Sequence, residues 1–285
     1  SHLILLVYPE VILPRLYTPP PQGIQAPEAL PAAPTGPDAL AAPQQDHTTP
    51  PTAQAPVNAR SITVTTDVFT ATFSTAGARL TSFQPHEYRA TVAPDSPAQE
   101  LITPHANNEW PLGVELRGAA VLSDRAVAYH SDSPDQVTLG PGESRTIEFT
   151  WRGEHGIVRK HLTFTAGKPD FLVAITTENI PSTYQEVALA WQHPIPTVPL
   201  TDSSVLFDRV VFLEGRKLRE EQYEDLSDGK VIDSTPVRWA GYTGRHFIAA
   251  LAPEDSSRHR LWLKKRGHLF EQKLLVPLAN GGGHH

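Results

Sequence analysis

Thirteen histidines are the residues of this 285-residue sequence best suited to move protons or hold a metal. His155 and His161 lie six apart and share a side only along one unbroken strand. His193 follows Trp191, and His246 precedes Phe247. A metal centre or an acid–base pair needs such a histidine beside a carboxylate at short ligand spacing, and no such spacing occurs. Ordinary surface or hydrogen-bonded histidines are the expectation. Trp191, Trp239, Tyr242 and Trp262 could stack on a sugar ring, but strand aromatics more often pack a core or a sheet surface. The acidic stretch Glu220–Gly229 invites a calcium reading. Setting its glycine at position six of a calcium loop puts Leu226 at a ligand position, and leucine cannot coordinate. The nucleophile-elbow, phosphate-loop, dinucleotide and zinc-protease motifs are all missing. With no Cys there is no thiolate nucleophile, thiolate metal site or disulfide frame. The residues thus predict no catalytic site, no metal and no cofactor.

The elements that would position any site are short strands. From about residue 60 to 280, β-branched and aromatic runs alternate with turn residues. Phe69, Ala71 and Phe73 share one face; Phe171, Val173 and Ile175 share another, as do Val187, Leu189 and Trp191. Period-two patterning marks half-buried strands. Gly140-Pro141-Gly142, Gly167-Lys168-Pro169 and Ser227-Asp228-Gly229 mark turns between them. No helical stripe reaches 12 residues, and the mixed-charge run Arg216–Leu226 reads as a short helix or an irregular loop. So many antiparallel strands predict an all-β fold, a large sandwich, because a single open sheet would leave a face in water.

Composition divides the rest of the chain. The net charge of −7 (24 Lys+Arg against 31 Asp+Glu) excludes the basic footprint of a nucleic-acid binder. Thirteen of the 28 prolines fall in the first 56 residues. Residues 17–59 are rich in Pro, Ala and Gln and read as a disordered, extended tether. Ahead of it, Leu3–Tyr8 and Val11–Leu13 are apolar but too short to span a bilayer. Arg15 and Tyr17 follow, as cations and aromatics do at a membrane boundary, so residues 1–16 are expected to be the remnant of an N-terminal transmembrane anchor. Ser1 and the lack of Met lead to the expectation of a fragment whose translation starts upstream. Residues 281–285 are expected to be a linker and tag remnant.

The run from Ser61 to Leu80, with its Thr66-Asp67 pair, Gly77 and the later Tyr88, resembles the opening of the periplasmic domain of the YidC membrane-protein insertases. Val158–Phe164 resembles a middle strand of that family, and Trp239–Pro253 its Trp…Phe-x-x-Ala strand. The family's turn carries two glycines where this sequence has Gly77-Ala78, which puts the positive-φ turn at the second position in question.

The resemblance covers about residues 60–275. It implies a β-supersandwich like that of galactose-mutarotase-like proteins, in the periplasm, borne by an inner-membrane insertase. The membrane core that does the inserting would follow the β domain, so no insertase residue carries over. The implied role is non-catalytic: helping inner-membrane proteins insert and fold, through contacts with the Sec translocon, its accessory proteins and nascent inner-membrane proteins. The alternative on the same fold is a carbohydrate-binding protein or aldose epimerase. Partners are expected to dock along an exposed strand edge or the charged segment Glu214–Asp233, with Glu214, Arg216, Arg219, Glu221, Glu224 and Asp228 as candidate contacts.

Overall fold

The computed structural model describes residues 2–9, 59–102, 109–194, 209–222, 231–234, 236–244, 247–255, 259–267 and 269–278. All but the last residue of the expected tether, the candidate contacts Glu224 and Asp228, His246 and the expected tag remnant lie outside these residues.

The first strands are β1 (His2–Pro9), β2 (Ser61–Thr65), β3 (Phe69–Ser74), β4 (Arg79–Pro85), β5 (Gly113–Gly118) and β6 (Val121–Ser123). A 3-10 turn at Asp124–Ala126 precedes β7 (Gln136–Thr138), β8 (Ser144–Gly153), β9 (Gly156–Thr165) and β10 (Phe171–Glu178). The second half holds β11 (Tyr184–Pro194), β12 (Arg209–Glu214), β13 (Lys217–Gln222) and β14 (Val231–Ser234). It ends with β15 (Val237–Thr243), β16 (Phe247–Pro253), β17 (Arg260–Arg266) and β18 (Leu269–Pro277).

They form three sheets. The largest runs β13-β12-β15-β16-β1-β10-β9-β8, the second β14-β17-β18-β11-β5-β6, and the third β4-β3-β2-β7. Among the described residues all strand pairings are antiparallel except β2 with β7. The architecture is the all-β supersandwich, and the alternation in the sequence is its cause. In β3 the buried positions are Phe69, Ala71 and Phe73; in β9 they are Val158, Lys160, Leu162 and Phe164. The centre is aromatic. Phe69 stacks on Phe83 at 4.6 Å, Phe73 meets Phe171 edge-on at 5.7 Å, and Phe164 lies 5.1 Å from Phe171. These rings come from the four- and eight-stranded sheets, so the two pack face to face. Val114, Leu189, Leu261 and Leu274 of the six-stranded sheet join the same core.

Two local expectations differ from the structure. The stretch expected to trail from a membrane anchor is, over His2–Pro9, a strand paired with β10 on one side and β16 on the other. A short apolar run with no polar alternation suits an interior strand as well as a helix end, and periodicity alone does not separate them. The run Arg216–Leu226, expected as a helix or loop, is a strand over Lys217–Gln222. Gly215 at φ +59° turns the chain tightly, and Leu218 then falls opposite Leu213. An edge strand buries little, so β13 shows only a weak apolar period.

Candidate interaction surface and its buried scaffold

The β12–β13 hairpin gathers four of the six candidate contacts at the outer edge of the eight-stranded sheet. Glu214 ends β12, Arg216 is exposed in the turn, and Arg219 and Glu221 lie on β13. Arg219 Nε donates to Glu214 Oε2 at 3.2 Å, and Arg209 Nη1 to Glu220 Oε2 at 2.5 Å. A charged terminal strand discourages pairing with a second sheet edge. The same charges, held on a rigid hairpin, suit electrostatic docking of a folded partner.

A second charged cluster is the opposite case. Asp124, Arg79 and Lys160 are buried at 0, 2 and 0% exposure. The Asp124 carboxylate accepts from Arg79 Nη2 at 2.5 Å, Lys160 Nζ at 2.7 Å, the Tyr129 hydroxyl at 3.0 Å and the Val114 amide at 3.0 Å. Lys160 also donates to the carbonyls of Gly77 at 2.6 Å and Leu112 at 2.7 Å. All three of its protons are thereby used, which suits a clamp and not a nucleophile. Burial, with the Arg79 charge adding to it, lowers the Lys160 amine to about 8 against the opposing pull of Asp124. Burial and then the Asp124 charge push the Tyr129 phenol well up.

This clamp explains the unusual turn. Gly77 and Ala78 have φ of 68° and 46°, and Leu112 has 71°. Ala78 thus keeps the positive φ that its lack of a second glycine had put in question. A non-glycine residue in that region carries about 1 kcal/mol of strain, and the Lys160 bonds to the flanking carbonyls hold the chain there. In the sequence Lys160 stands out only as part of the Val158–Phe164 run that resembles a family strand. The available signal was its register: a lysine in step with Val158, Leu162 and Phe164 must enter the core and be fully paired there.

The histidines do not converge. His161 lies on β9 with Nδ1 3.6 Å from Glu148, whereas His193 lies on β11 in another sheet. His193 stacks 3.5 Å from the Tyr242 ring, and burial lowers its imidazole to about 3, so it is neutral at working pH. His155 meets Glu154 at 3.2 Å and the Tyr184 ring edge-on. Trp191 is core. Trp262 is flanked by Lys273 Nζ at 4.5 Å and Arg117 at 5.7 Å, cations that occupy the neighbourhood a stacked sugar would need. Among the described residues no three His, Asp or Glu side chains are grouped to hold a metal.

Strand order and aromatic core define the class: an all-β supersandwich domain. Residues 61–280 match the family model described as the YidC periplasmic domain, and the chain belongs to that family. It is 30% identical to the membrane protein insertase YidC of Syntrophus aciditrophicus over 93% of this chain and 51% of the relative. It is 29% identical to that of Geobacter metallireducens over 85% and 46%. The chain thus spans about half the length of the curated relatives it matches. These relatives are named as insertases, not as enzymes. The family places the domain in the periplasm, on a protein of the bacterial inner membrane. Among solved structures, a galactose mutarotase-like protein from Lactobacillus casei matches at 11% identity and a TM-score of 0.44, over 79% of this chain and 90% of that one. A putative aldose 1-epimerase from Escherichia coli matches at 10% and 0.35, over 78% and 100%.

Proposed function

We propose that the domain is a non-catalytic docking module of a membrane-protein insertase. It assists the insertion and folding of inner-membrane proteins by contacting Sec-translocon components through the β12–β13 hairpin and the acidic segment that follows it. Segments outside the folded domain hold it at the membrane. The observation that carries this reading is the hairpin: Glu214, Arg216, Arg219 and Glu221 stand together on the hairpin that ends the eight-stranded sheet among the described residues. Sugar chemistry would need an acid and a base converging on a ring, and His161 and His193 sit in different sheets. A photo-reactive residue placed at Arg216 or Lys217 of the full insertase in cells is expected to capture Sec components. Crosslinks elsewhere on the domain with none at these positions would overturn the assignment. Mutarotation of galactose by the purified domain, abolished by His161→Ala or His193→Ala, would overturn the non-catalytic reading.

A further inference from the structure

The far edge of the eight-stranded sheet is built differently from the hairpin edge. Among the described residues β8 is terminal there and its one strand partner is β9. One bridge touches its other side: the Thr150 amide donates to the His130 carbonyl at 2.8 Å, and the His130 amide to the Thr150 carbonyl at 2.9 Å. Thr150 therefore turns its backbone away from β9. By the two-residue alternation of a strand, so do Glu148 and Thr146. Their amides and carbonyls have no partner on that side among the described residues. They face a cleft of about 380 Å³, whose far wall is Ser131–Pro134 and whose lining includes the buried Val137 and Ile147. Arg60 braces that wall by donating to the carbonyls of Ser131 at 2.5 Å and Ser133 at 2.8 Å.

We propose that this slot receives an extended polypeptide segment, which adds to β8 as a strand beyond the Thr150 bridge. Continuing the ladder from Thr150 to Ser144 spans six residue steps, about 20 Å. The charges on the rim select the segment. Glu148 is engaged by Arg159 and by the Thr150 hydroxyl, and Asp132 by His130 at 2.9 Å. Arg145 is exposed and makes no ion pair among the described residues. The occupant is accordingly an unfolded chain carrying β-branched residues, which favour the strand conformation, and an acidic residue for Arg145. A second folded copy is disfavoured, since its whole sheet edge would have to pass the Ser131–Pro134 wall.

The test uses the whole 285-residue chain. The probe is a fluorescein-labelled heptapeptide of alternating Thr and Val with one Glu, read by fluorescence anisotropy. Saturable binding below about 1 mM is expected, weakened at least about tenfold when alternate peptide nitrogens are methylated. Thr146→Pro should weaken it similarly, because it removes an outward N–H and none from the β8–β9 ladder. Arg145→Ala should weaken the Glu peptide and leave its Gln counterpart unchanged. No saturation by about 1 mM, or binding indifferent to N-methylation, overturns the proposal. Should Thr146→Pro impair folding, the methylated peptides decide on the unmodified protein. A concentration-dependent dimer in sedimentation, abolished by Arg145→Ala, would reassign the edge to a second copy and also overturn it.

Discussion

The Asp124 cluster and the β12–β13 hairpin use the same side-chain chemistry toward opposite ends. Both pair carboxylates with cations at hydrogen-bonding distance. In the cluster every charge is buried, and Asp124 and Lys160 use their full hydrogen-bonding capacity, while Arg79 Nε is left without a partner. At the hairpin the pairs are wetted; the side chains of Glu214 and Arg219 are 33 and 46% exposed. A buried pair is dangerous to break and adds little when intact, because desolvation offsets attraction. An exposed pair is cheap to break and free to exchange partners. Rigidity comes from the first, and the proposed recognition would use the second.

The largest expected effect breaks the cluster. Lys160→Ala leaves Asp124 and two carbonyls short of a donor, and should destabilise the domain by about 3–5 kcal/mol in urea unfolding. Asp124→Ala should cost a similar amount, and the double variant much less than the sum of the two. Removing residues 1–58 strips β10 and β16 of their β1 partner and should lower the melting temperature by about 10 °C or more. An unchanged melting temperature would return residues 1–16 to the anchor suggested by their sequence.

Next in size is pH. His193 has a folded value of about 3 and an ordinary value of 6.5. Between these the unfolded chain binds more protons, so stability should fall as pH drops from 6.5 toward 3. The ceiling is about 4–5 kcal/mol by linkage, lowered by the ring's partial exposure. His193→Phe should flatten that limb. Lys160, at about 8 folded and 10.5 ordinarily, works at the other end. Its unfolded form again holds more protons, so stability should rise between about pH 8 and 10 by up to about 3 kcal/mol. Above 10 the raised Tyr129 phenol opposes the rise, since there the unfolded chain loses its proton first. Lys160→Met should remove the rise. The smallest effect belongs to the hairpin: Glu214→Ala with Arg219→Ala should shift stability by about 0.5 kcal/mol or less while weakening capture of partners.

How much of this was legible follows from burial. Strands such as Phe69–Ser74 and Gly156–Thr165 were readable because one face meets the core, and alternation records that directly. The β13 strand was not, because an edge strand of charges lacks that record. The hairpin residues were legible as a charged segment, but only Gly215 and the Leu213–Leu218 pairing make them a hairpin. The cluster escaped because its members are far apart in sequence: Lys160 lies 83 residues from Gly77. Only the odd register of Lys160 among apolar neighbours betrays it.

The central claim, docking through the hairpin edge, is tested most directly by photo-crosslinking in cells. Reactive residues placed in turn at Arg216, Lys217 and Arg145 of the full insertase sample both edges of the same sheet. The account predicts adducts with Sec components at Arg216 and Lys217, and adducts with unfolded polypeptide at Arg145. Sec adducts confined to Arg145, or absent from all three positions, would contradict it.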